Sequence, residues 1–315
     1  MPAAPEFARI RGLAVGQAED PTGSTGVTAI VFDAPAPTVV DIRGGASATY
    51  DTASLGLDAT FGRRWGIFLT GGSLYGLDAA RGMRTRLLEV GRGESVFASR
   101  VPLVQVTGAA LFDLPKDGGP PDYLPLGYEA TRRASHAPVA PGRTGAGAGA
   151  TVGKYRGRAF AMRGGVGSAA ARLPGRGTVG MLVAINAVGA VRDPATGRWI
   201  AGARGARGLV PPDPSRPLRG RAGSTSLAVL ATDLALDRPT LHRAMAIAHA
   251  GLAAAVFPFH TATDGDVLFA SATGAAGPPR APTRPGELAD RIGSVAAVLG
   301  VRAVLQAVRA ANGLD

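Results

Sequence analysis

At Gly223-Ser224-Thr225-Ser226-Leu227-Ala228-Val229-Leu230-Ala231-Thr232-Asp233 an Arg/Pro/Gly-rich approach stops and hydroxyl residues open an apolar strand. A Ser or Thr at such a junction becomes a new N-terminus on a rigid element once the bond before it is cut. Its freed α-amine and its own hydroxyl then supply base and nucleophile from one residue. The pattern is the one a self-cleaving hydrolase requires. It makes Thr225 the candidate nucleophile and 201–222 the processing linker.

Working outward, strand-like runs fall at Val27 to Phe32, Thr38 to Ile42, Gly66 to Thr70, Val101 to Val106, Arg158 to Met162, Val179 to Val191, Ser226 to Thr232 and Val267 to Ala272. Helical spacing of apolar residues marks Leu77 to Val90 and roughly Gly286 to Ala311. Another helix starts near Arg238, with Asp237 as N-cap and Pro239 in its first turn. Strands grouped with long helices before and after them predict a layered α/β sandwich with one core over 1–315.

Composition narrows the chemistry. No cysteine is present, which removes thiol nucleophiles, disulfides and thiolate metal sites. Of four histidines, His242 and His249 are seven apart, the wrong spacing for a helical zinc pair, so no metal is expected. All basic residues but Lys116 and Lys154 are arginines, and the net charge is +11. The arginines are scattered with few aromatics between them, and the densest group (Arg204, Arg207, Arg216, Arg219, Arg221) lies in the proline-rich linker, so it reads as a solvated loop and no nucleic-acid partner is expected. Lysine is a compact charge whose pKa moves on burial, so Lys154, after a Gly/Ala run, is the better site candidate of the two. The start MPAAPEFARI lacks a signal-peptide pattern, and Ala244 to Phe257 is too short to span a membrane. A cytoplasmic location with no membrane partner is the expectation.

Several glycine-rich stretches imitate nucleotide motifs and fail. In Gly145 to Lys154 alanine stands where a phosphate loop needs its first glycine, and Tyr155 takes the magnesium-binding Ser/Thr place. Gly175 to Gly180 has dinucleotide spacing but precedes a strand instead of opening a helix. Gly72-Ser73-Leu74-Tyr75-Gly76 is one residue too long for a nucleophile elbow. No organic cofactor is implied.

In order, RGGA at 43–46, TGGSLYGLDAA at 70–80, GAGAGATVGK at 145–154, VAINAVGAV at 183–191, STSLAVLATD at 224–233, AHAGLA at 248–253 and HTATDGD at 260–266 span nearly the whole chain. Together they resemble the β-aminopeptidase/L-aminopeptidase–D-esterase family, which includes the nylon-oligomer hydrolases. The resemblance implies a four-layer αββα sandwich of the N-terminal-nucleophile type, autocleaved into 1–224 and 225–315. It also implies homo-oligomers of the cleaved pair. Residue by residue it makes Thr225 the nucleophile, Asn186 an oxyanion-hole donor, Lys154 a lysine near the reacting centre, and Asp264 and Asp266 the acidic pair of self-cleavage.

Physical chemistry is compatible with each role. An amide donor aimed at a developing oxyanion is worth about a hundredfold or more in rate. An α-amine with a pKa of about 7.7–8.0 is a usable base near neutral pH. Carboxylates at i and i+2 share a face and push one another toward protonation, and Lys154 nearby would limit that repulsion. His249 and His260 read as satisfied packing residues.

Two departures matter. Ser224 precedes the nucleophile where relatives carry asparagine or glycine, so cleavage after Gly223 with Ser224 as the new N-terminus is the alternative. Phe112 falls where the family carries a second oxyanion donor, a tyrosine, leaving Tyr75 or Tyr128 as substitutes. The expected activity is hydrolysis of amide bonds in short peptides, β-peptides or ω-amino-acid oligomers. An acyltransferase like the ornithine acetyltransferases and an uncleaved, inactive homologue are the competing readings.

Overall fold

The structure, a computed structural model, describes residues 6–115, 119–174, 177–218, 223–279, 284 and 286–314. Lys116, the Gly175-Arg176 pair, and Arg219 and Arg221 of the linker lie outside them. Among the described residues the main sheet has nine strands: β1 (Leu13–Glu19), β2 (Gly26–Ile42), β3 (Ala48–Tyr50), β4 (Arg63–Thr70), β5 (Val106–Ala110), β6 (Gly165–Arg172), β7 (Thr178–Asn186), β8 (Thr225–Leu234) and β9 (Val267–Gly277). Four α-helices accompany them: α1 (Ala79–Glu89), α2 (Tyr123–Arg132), α3 (Arg238–Ala255) and α4 (Glu287–Asn312).

The strand order is β3-β5-β4-β2-β9-β8-β7-β6, with β1 also on β2. The two strand runs expected at 27–32 and 38–42 are one strand, β2, which joins two sheets. Its first half pairs with β1 and β4, and its second half with β9, across a register shift between Val31 and Ala36. Pro35 and Pro37 sit at that corner, where a residue without an N–H disturbs the ladder least.

Folding β2 over itself stacks the two halves face to face. Alternate residues Leu227, Val229 and Ala231 of β8 and Leu182 and Ala184 of β7 meet Ile30 and Phe32 of β2 and Ile67 and Leu69 of β4 in the middle layer. The intervening Ala228 and Leu230, with Met181, Val183 and Ile185, face α3 and α4. On the far side Val27, Ala29, Val31 and Phe68 pack on Met83 and Leu87 of α1 and Ala130 of α2. Three apolar clusters therefore separate four layers, α-β-β-α. Strand β8 is buried along its whole length. Each large apolar side chain it removes from water contributes roughly 1.5–3 kcal/mol.

Helix α3 starts as its sequence dictates: Asp237 accepts the Thr240 N–H at 2.8 Å and a proline occupies the first turn. Helix α4 has a stretch of mean hydropathy 1.5, apolar and long enough to cross a membrane by composition. Here half of that stretch is buried against the rest of the fold, where Ile292, Leu299 and Val304 join the same cluster as α3 and β7.

Four sequence expectations are corrected. Residues 158–160 form a 3-10 turn and only Met162–Arg163 is extended, because Gly157 takes φ 107° and turns the chain first. The strand expected at 101–106 begins at Val106. The run expected from 179 to 191 breaks after Asn186, and Ala190–Arg192 pairs with other short strands. The first half of the linker is a small ribbon, Ala203–Gly205 against Gly208–Val210.

Candidate active site

Thr225 opens β8 and lies directly across from Asn186, the last residue of β7. Both are buried, and both sit where their strand leaves the apolar interior for the loops. The break after Asn186 places an amide side chain at the strand end, across from the threonine.

The peptide bond before Thr225 is held in ladder-like pairing with 263–265. Ser224 bridges Asp264, the Gly265 N–H donates to the Ser224 carbonyl oxygen at 2.7 Å, and Thr225 Oγ1 donates to that same oxygen at 2.6 Å. The threonine hydroxyl thus lies against the carbonyl group it would attack, and a backbone donor already polarises that carbonyl. Gly265 has no room for a side chain: a Cβ there would stand 2.7 Å from Thr225 Oγ1 and 2.7 Å from the Ala46 oxygen. This donor escaped the sequence reading, although the glycine between the two acids of TDGD is its visible signal.

Asn186 is oriented by its neighbours. Its Oδ1 accepts from the Thr151 N–H at 3.0 Å and from Lys154 Nζ at 2.8 Å, while Nδ2 donates to the Phe112 carbonyl at 3.1 Å. Lys154 also donates to the Asn186 backbone oxygen at 2.7 Å. Burial pulls the Lys154 amine down to about 7; the Asp264 charge opposes that shift and Arg158 adds to it. Lys154, expected nearby to limit the acids' repulsion, hydrogen-bonds Asn186 and acts on the acids through its charge.

Asp264 and Asp266 are both fully buried. Asp264 accepts from the Val188 N–H at 3.2 Å and from Thr261 N–H and hydroxyl at 3.1 and 2.7 Å. Asp266 accepts from the Ser226 N–H at 2.6 Å and from His260 N–H and Nδ1 at 3.0 Å each. Burial first, and then the Asp266 charge, raise the Asp264 carboxyl above the ordinary carboxylate range. The pair ties the 187–189 and 260–263 loops to the start of β8, as buried carboxylates must to satisfy their lone pairs.

The histidines are not the satisfied packing residues expected. His260 takes a left-handed backbone (φ 58°) to reach Asp266, and its Nε2 is buried without a partner. The His249 ring stands edge-on to it at 5.1 Å, with Nε2 3.3 Å from the Asp41 carboxylate. Of the tyrosines considered, Tyr128 donates to Glu89 on the outer helical layer, and Tyr75 is half exposed with no hydrogen bond among the described residues. The Phe112 ring packs against Gly223, and its carbonyl holds Asn186. Among the described residues no three His, Asp or Glu side chains are grouped as metal ligands. A cleft of about 1120 Å³ is walled by Tyr155 (the neighbour of Lys154 in sequence), Phe160, the approach segment Val210 to Leu218, and Phe257-Pro258; none of the five candidate site residues lines it.

Residues 7–315 match the model of peptidase family S58. An uncharacterized aminopeptidase of Mycobacterium tuberculosis is 37% identical, covering 95% of this chain and 92% of its own. A 6-aminohexanoate-oligomer endohydrolase of Paenarthrobacter ureafaciens is 31% identical over 92% of this chain and 80% of its own. Among solved structures, the L-aminopeptidase D-Ala-esterase/amidase of Ochrobactrum anthropi, described as a variant of the Ntn hydrolase fold, superposes with a TM-score of 0.64 at 19% identity, over 97% of this chain and 85% of its own. A Burkholderia sp. β-aminopeptidase superposes at 0.62 and 22% identity, with the same 97% and 85% coverage. Those likenesses carry the four-layer fold, and the family match carries the chemistry. The chain belongs to peptidase family S58 and is a hydrolase of peptide and amide bonds on an N-terminal-nucleophile-type sandwich.

Proposed function

We propose that this hydrolase is made by its own first reaction, cleavage between Ser224 and Thr225. The observation that carries the reading is the Ser224 carbonyl oxygen, held at once by Gly265 N–H and Thr225 Oγ1. Attack of Oγ1 on the Ser224 carbonyl carbon forms a C–O bond, and collapse breaks the C–N bond. The leaving nitrogen takes a proton and becomes the α-amine of Thr225. Water then hydrolyses the ester and frees 1–224 from 225–315. The same geometry makes Thr225 the new N-terminus, because its hydroxyl touches the carbonyl ahead of it.

In the cleaved enzyme the substrate carbonyl occupies the place of the Ser224 carbonyl. Thr225 Oγ1 attacks, its α-amine accepts the proton and returns it to the leaving amine, and water resolves the acyl-enzyme. Gly265 N–H donates to the oxyanion. Asn186 is the second donor once its Nδ2 leaves the Phe112 carbonyl, and Lys154 keeps its Oδ1 turned the other way. The substrates are short peptides or amino-acid amides, and the cleft walled by Tyr155 and the approach segment has volume for a few residues. The relatives' names support an aminopeptidase or ω-amino-acid-oligomer hydrolase; the family resemblance is what makes it an oligomer of cleaved pairs.

Release of p-nitroaniline from aminoacyl-p-nitroanilides tests this. Wild type turns over, Thr225→Ala does not, and Thr225→Ser restores both processing and turnover. Undiminished hydrolysis by Thr225→Ala would overturn the assignment.

A further inference from the structure

The acyl side of the substrate site is marked by the chain itself, because Gly223 and Ser224 stand where a substrate's acyl part stands later. Gly223 lies against the Phe112 ring, so closely that a Cβ would meet ring atoms at 2.6 Å. Over that same ring sits the Arg158 guanidinium, 6.0 Å from its centroid. Arg158 is exposed and makes no ion pair among the described residues. Next to it Arg156 covers the Phe160 ring at 5.0 Å and donates to the Arg204 carbonyl at 3.4 Å. These lead into a second cleft of about 510 Å³ lined by Arg156, Phe160, Arg204, Arg207 and Val210. Arg204 and Arg207 of the linker, read as part of a solvated loop, thus wall a cleft together with Arg156.

The charge balance of the two clefts, which share Arg156 and Phe160, is one-sided. Among the described residues lining either cleft the one carboxylate is Asp213, already bound by Arg216 at 3.1 Å and by Ser215 at 2.7 Å. Arg158 is also felt inside, lowering the proton affinity of Lys154. Guanidinium groups flanked by apolar floor recognise carboxylates by paired N–H donors.

We infer that the enzyme prefers an acyl group carrying a free carboxylate, an N-terminal aspartyl or glutamyl residue, read by Arg158 on its Phe112 platform with Arg156 beside it. This deepens the proposed function and rests on Thr225 as the nucleophile. Asparagine has nearly the shape of aspartate without its charge, so the two isolate the electrostatic contribution.

The experiment compares kcat/KM for L-aspartyl-, L-asparaginyl- and L-lysyl-p-nitroanilide in wild type, Arg158→Gln and Arg158→Glu. Wild type favours aspartyl over asparaginyl by about fivefold, the scale of one or two exposed ion pairs. That ratio falls toward one in Arg158→Gln, and Arg158→Glu favours lysyl over aspartyl. In 1 M NaCl, where screening acts over roughly 3 Å, the wild-type ratio also collapses. Ratios near one in wild type, unmoved by either substitution while all three substrates are cleaved, overturn the inference alone. A folded wild type that neither processes nor cleaves any of the three overturns the parent reading instead.

Discussion

Replacing Lys154 with methionine tests whether a buried amine serves this site at a cost to the fold. The amine ordinarily titrates near 10.5, and burial brings it to about 7 here. Between those values the unfolded chain holds a proton that the folded chain has released, so stability rises as pH rises from about 7 to 10.5. Below 7 both states carry the proton and the penalty is constant. At 1.36 kcal/mol per unit the full difference is about 5 kcal/mol. Methionine fills similar volume and has no proton to exchange, so its variant lacks this rise. To keep both proteins single-chain, the comparison is made in Thr225→Ala, by urea unfolding at several pH values. From pH 7 to 10 the lysine-bearing chain gains about 4 kcal/mol over its methionine counterpart. Parallel profiles across that range would refute the reasoning, since they would mean the amine keeps its solution proton affinity when folded.

Other outcomes follow from the same contacts. Gly265→Ala forces a methyl against Thr225 Oγ1 and the Ala46 oxygen, so processing followed by gel slows at least a hundredfold while circular dichroism stays wild-type. Asn186→Ala lowers kcat by roughly a hundred- to a thousandfold with KM little changed, as loss of an oxyanion donor does; a change confined to KM would contradict that role. His260→Asn keeps a donor toward Asp266 and suits the left-handed backbone, so it processes near the wild-type rate, whereas His260→Leu slows more than tenfold. Equal rates for the two would remove His260 from the support of Asp266.

Strand β8 and the start of α3 were legible because local chemistry and packing agree there: β8 has an unbroken apolar run from Leu227 to Ala231 and is buried along its length, and Asp237 and Pro239 cap α3. Strand β6 was not legible. Its sequence GVGSAAAR has little β-branched or aromatic content, and the reason lies across the layer, where α4 approaches so closely that a Cβ on Gly167 would stand 2.1 Å from the Ala303 oxygen. Helix α2 was hidden by Pro125 in its first turn and by Gly127, whose bare Cα lets α1 come close. At the site, residue type and position singled out Thr225 and Lys154, and the family resemblance added Asn186, Asp264 and Asp266. Their partners were not readable, because the turn at Gly153 (φ 81°) and the break after Asn186 decide that Lys154 meets the amide instead of the acids. The Gly265 donor is a backbone group, and side-chain patterns do not disclose where an N–H points.

Denaturing mass spectrometry of freshly purified wild-type protein, with N-terminal sequencing of the smaller product, bears most directly on the central claim. Two species are predicted, 1–224 and 225–315, the second beginning with Thr225, and one intact chain for Thr225→Ala. A wild-type chain that folds and stays whole, or a small fragment beginning at Ser224, would contradict it.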